Sequence, residues 1–71
     1  MSLTELEKGR NARLVRIAGG RRVRARLAAM GLVPGVELKI LQRHRWGPYV
    51  IAVNHTRMML GPGMASKIIV A

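Results

Sequence analysis

Between Arg21 and Leu38 the apolar residues change their spacing, and the change marks the passage from a helix to a strand. At about 100° per residue, Val23, Leu27 and Met30 fall on one narrow stripe spaced i, i+4, i+7. The stripe predicts a helix from Arg21 to about Met30 with those three side chains turned inward, together with Leu32. Gly31 is placed to take the left-handed conformation just past the helix end. Leu32 then meets Leu27 in the apolar contact that closes a Schellman motif. Pro34 fixes φ and Gly35 supplies φ > 0 at the next position, the requirements of a type II turn. Val36, Leu38 and Ile40 then alternate with Glu37 and Lys39, the period of a half-buried strand.

Ahead of the helix, Ala12 to Ala18 is rich in Leu, Val and Ile and reads as a strand that Gly19-Gly20 ends. Its inward face is ambiguous, because Val15 and Ile17 share one side with Arg13 while Leu14 shares the other with Arg16. The carboxyl half reads as a hairpin about Asn54-His55, pairing Val53 with Thr56, Ile51 with Met58 and Tyr49 with Leu60 on a core-like face. The opposite face pairs Ala52 with Arg57 and Val50 with Met59, more apolar surface than a half-solvated hairpin needs. Either Leu3 and Leu6 of the amino terminus cover it, or it is offered to a partner. After Gly61-Pro62-Gly63, a single turn at Met64-Ala65-Ser66 leads into a closing strand, Lys67 to Val70.

About five short strands and one helix between the first and second make a mainly β protein. Closure hides strand edges that so small a sheet could not otherwise cover, so a closed or nearly closed SH3-like barrel fits the count. The 71 residues are one domain, 1–71, with a lean core: 49% of positions are apolar, and without Phe the interior falls to Val, Ile, Leu and Met. No cysteine is present, which fits a reducing compartment, and no stretch resembles a signal peptide or a membrane span. The expected setting is the cytoplasm.

Charge adds a second theme. Thirteen Lys and Arg against three acidic residues give a formal net charge of +10, which attracts nucleic acid, acidic lipid or an acidic protein face. Arg21, Arg22, Arg24 and Arg26 are spread around the apolar stripe of the helix, whereas a groove-reading helix would gather them on one side. A solvated basic face is the plain reading, and an anionic partner meeting these four is the sharper one.

Catalytic chemistry finds no support. Gly61-Pro62-Gly63 runs into Met64, so there is no phosphate-cradling Walker loop. With neither Cys nor Asp, and three scattered Glu, no nucleophile has a base and an orienter beside it. The reading is of a non-enzyme without a cofactor. His44 and His55 stand at opposite ends of one strand, roughly 20 Å apart, too far to share an ion within one chain. A metal site would need ligands from a second copy, and whether the chain self-associates is left open by the sequence. Trp46-Gly47-Pro48-Tyr49 is the one aromatic cluster, a thin platform for base stacking, so Trp46 reads as a lid on the core or as part of a contact surface.

Taken in order, several residues resemble the FeoA family of small ferrous iron transport proteins. They are Leu3-x-x-Leu6-x-x-Gly9, Val15-x-Ile17, Gly19-Gly20, Arg26-Leu27-x-x-Met30-Gly31-Leu32-x-Pro34-Gly35, Gly47-Pro48, Leu60 and Ala65-x-x-Ile68-x-Val70. The resemblance spans Leu3 to Val70, and Arg26 to Gly35 is its most specific piece. It implies an SH3-like barrel that assists the membrane ferrous iron transporter FeoB by contact with its GTP-binding cytoplasmic part, at the inner face of the membrane. The helix carries more arginines than the family pattern leads one to expect. The predicted contact residues are Arg21, Arg22, Arg24, Arg26, Trp46, Val50, Arg57 and Met59. Two other readings of the charge are a nucleic-acid-binding barrel and attachment to anionic lipid headgroups near the transporter.

Overall fold

In a computed structural model that describes residues 1–71, the chain forms five strands and two helices, with a short 3-10 turn ahead of them. Strand β1 (Asn11–Ile17) leads to helix α1 (Arg21–Ala29), then to β2 (Glu37–Arg43), β3 (Tyr49–Val53) and β4 (Thr56–Leu60). The single turn of α2 (Pro62–Ala65) precedes β5 (Ile68–Val70). The strands make one antiparallel sheet in the order β4-β3-β2-β1-β5, the mainly β, SH3-like architecture expected.

The predicted punctuation of the helix is realised bond by bond. Gly31 has φ +91°, the Leu32 amide donates to the Leu27 carbonyl at 2.9 Å, and the Gly31 amide donates to Ala28 at 2.9 Å. These are the two bonds of a Schellman motif. Gly35 has φ +95° and the Val36 amide donates to Val33, as a type II turn about Pro34-Gly35 requires. The β3–β4 hairpin has the predicted register at all five pairs. Asn54 and His55 have φ 50° and 64°, the two positive values that let a two-residue turn match the strand twist.

Two expectations are corrected. Met30 is 40% exposed, while Leu27 and Leu32 are buried and Val23 is half-buried against the core. Met30 is the helix C-cap, with φ −92° and ψ 3°, so the helical phase no longer positions it and the reversal at Gly31 sends Leu32 inward instead. The barrel is the nearly closed form of the one expected: β4 and β5 lie at the two ends of the sheet without a ladder between them, and the chain joins them through α2. Leu3 and Leu6 do not cover the outer face of the hairpin. They are buried in the core, and the first residues instead lie along β5, where Ser2 bridges Ile69 and the Val70 amide donates to the Met1 carbonyl at 2.7 Å.

The ambiguous face of β1 has a structural cause. Its first half pairs with β2 and its second half with β5, and the register shifts between Leu14 and Arg16. Val15 is the extra residue of a bulge, so Ala12 and Leu14 point inward before the shift and Ile17 after it. The core is sixteen apolar residues, and no polar or charged residue is buried.

Candidate functional site

The outward face of the β2–β3–β4 sheet is built by alternation. Leu38 and Ile40 of β2, Ile51 and Val53 of β3, and Leu60 of β4 face the core, so Lys39, Val50, Ala52, Arg57 and Met59 face out. Cross-strand rows follow from the register: Lys39, Ala52 and Arg57 form one, and Gln42, Val50 and Met59 form the next. A second bulge, between Ile40 and Gln42, brings Leu41 to the same surface. The result is a shallow depression of ≈ 480 Å³ lined by Leu41, Gln42, Val50, Arg57 and Met59. Met59 is 64% exposed beside the apolar Leu41 and Val50, an arrangement that leaves hydrophobic area unburied in water.

Met59 is also the wall of a second hollow. Between the end of α1 and the β4–α2 corner lies a groove of ≈ 200 Å³ lined by Arg26, Leu27, Met30, Met59, Leu60, Gly61 and Met64. Three methionines line it, and unbranched thioether side chains adapt to varied apolar partners. Arg26 and Arg57 each border one hollow, and both guanidinium groups are free of hydrogen bonds within the chain. The guanidinium bonds here are those of Arg13 to Gly35 and of Arg43 to Leu6 and Thr4.

The structure therefore gathers part of the predicted contact set. Val50, Arg57 and Met59 meet around one depression, and Arg26 joins Met59 across the next. Arg21, Arg22 and Arg24 are exposed on α1 and line neither. Trp46 is 88% exposed in the β2–β3 loop, so it is no lid on the core, and it too lines neither hollow. Leu41 and Gln42 were missed because a bulge shifts the outward phase of β2, and nothing in the local sequence marks that shift. Met64 was legible only as a turn residue. His44 and His55 lie at opposite ends of β3, and no group of three or more His, Cys, Asp or Glu side chains converges anywhere.

The FeoA domain family profile matches residues 1–71. No curated protein matches the sequence closely enough to compare. A crystal structure of an iron uptake regulatory protein, FeoA, is 36% identical, with 99% of this chain and 93% of that one covered and a TM-score of 0.92. The solution structure of FeoA from Chlorobium tepidum is 34% identical over 99% of this chain and 68% of that one, with a TM-score of 0.88. A zinc complex of FeoA from Stenotrophomonas maltophilia, described as a prokaryotic SH3 domain protein, shares the fold. Its identity is 24%, its coverage 100% and 89%, and its TM-score 0.86.

Proposed function

The chain belongs to the FeoA family, and from that premise we propose that it is a non-enzymatic accessory protein of ferrous iron transport. In this reading it docks on the cytoplasmic, GTP-binding part of the membrane transporter FeoB and modulates it. The observation that carries the docking face is the outer depression: Val50 and a largely exposed Met59 beside the unpaired Arg57. An apolar centre with an arginine at its margin is the composition of an interface hot spot. An acidic residue on the partner would complete Arg57, and an apolar side chain would cover Met59.

Calorimetric titration against the soluble cytoplasmic domain of FeoB tests this reading. Met59→Asp and Val50→Asp are expected to weaken binding by roughly thirtyfold each, the effect of losing about 2 kcal/mol at a hot spot. Arg57→Glu is expected to weaken it and steepen its loss with salt. Binding that survives all three substitutions on a folded chain removes this face from the reading.

A further inference from the structure

The β2–β3 loop, residues 44–48, carries the only tryptophan of the chain, and the fold leaves it in water. The loop is not slack at its foot. Arg43 donates to the carbonyls of Leu6 at 2.7 Å and Thr4 at 3.0 Å, and its guanidinium lies 5.6 Å from the centre of the Tyr49 ring. Trp46 stands beyond this brace at 88% exposure, with the Arg45 guanidinium 5.7 Å from its ring centre.

An indole is a large apolar body with one polar handle, and leaving it in solvent forgoes the stabilisation its burial supplies. In a protein interface such a ring sits at the middle of a packed patch that shields it. Here its chain neighbours are His44, Arg45 and Gly47, and neither apolar hollow reaches it. A lipid surface needs no complementary pocket. Indoles settle at the headgroup level of bilayers, and arginines beside them meet lipid phosphates.

The charge around the loop fits an anionic bilayer. Arg43 and Arg45 stand at the loop itself, and after Glu37 the sequence has no acidic side chain. The segment that Arg43 grips carries two carboxylates, and neither is bonded to the loop. Glu5 accepts from the Ser2 amide at 2.9 Å, and Glu5 and Glu7 line a depression with Met1, Leu6 and Arg10.

We propose that residues 44–48 form a membrane-surface contact, with Trp46 seated among the headgroups of an anionic bilayer and Arg45 on their phosphates. This contact is independent of docking on the transporter and uses different residues from the Val50–Met59 face.

Because Trp46 is the sole tryptophan, its fluorescence reports the proposed contact directly. The intact chain is titrated with vesicles of phosphatidylcholine mixed with phosphatidylglycerol, and separately with phosphatidylcholine alone. The expected result is a blue shift, protection from acrylamide and quenching by brominated acyl chains, all confined to the anionic vesicles. In flotation assays Trp46→Ala is expected to weaken binding roughly tenfold, and Arg45→Ala roughly fivefold. Both positions are exposed, so circular dichroism should confirm unchanged folds. Three results overturn the proposal: vesicle binding without a change in Trp46 emission, an equal shift with duplex DNA, or a shift with the soluble domain of FeoB in the absence of lipid. Met59→Asp should leave vesicle binding unchanged, so failure of this contact and failure of the docking face are told apart.

Discussion

Single residues fix this fold where the backbone must leave ordinary conformations. Gly31 holds φ +91° at the helix stop, and a side chain there would meet strain more than crowding, since the nearest atom to a built Cβ is Asn54 Nδ2 at 4.0 Å. Gly31→Ala is therefore expected to cost about 1 kcal/mol, read from the midpoint of urea unfolding. The opposite holds at the hairpin tip, where His55 occupies φ 64° with a side chain that gains nothing from it. His55→Gly creates the Asn-Gly pair such turns favour and should raise stability by about 0.5 kcal/mol in the same assay. Met30 illustrates the limit of residue-level reading: its type and spacing suit the core, yet it sits one step beyond helical dihedrals and lines a surface groove.

At the scale of elements, the amino-terminal segment and the bulge in β1 decide how the sheet holds together. Leu3 is fully buried and packs with the core, while Met1 and Ser2 cover the outer edge of β5. Leu3→Ala is expected to destabilise by roughly 3 kcal/mol, a large share of the stability of so small a domain. The bulge makes a sharper test, because an unbroken strand could not turn Ala12, Leu14 and Ile17 all inward. With Val15 48% exposed and Leu14 at 1%, Val15→Lys should change stability by no more than about 0.5 kcal/mol. Leu14→Lys should prevent folding, as judged by circular dichroism.

For the whole molecule, charge and core are fully segregated. All thirteen Lys and Arg are exposed, and the sixteen buried residues are all apolar, so the +10 is a property of the surface field rather than of the core. A field of that kind binds any polyanion. Duplex DNA should be bound without sequence preference, its affinity falling roughly hundredfold between about 50 and 200 mM salt if about four phosphates are contacted. A preferred sequence retained at the higher salt would instead favour the nucleic-acid reading of this barrel.

The helix, its Schellman stop, the Pro34-Gly35 turn and the Asn54 hairpin were legible in the sequence because each depends on residues adjacent in the chain. Glycine at a positive φ, proline at a fixed one and apolar spacing of 3.6 or 2 carry their own geometry. The bulges at Val15 and Leu41 were not legible, since they arise where one strand must serve two partners, and partners are set by distant pairing. The candidate site shares that origin. Val50 and Met59 could be matched across the hairpin, but their depression needs Leu41 from a shifted β2, and the adjoining groove needs Met30 after α1 and Met64 in α2, two segments remote in sequence. Local stereochemistry thus wrote the elements, and only packing between remote segments decided which apolar side chains the core accepts and which stay at the surface.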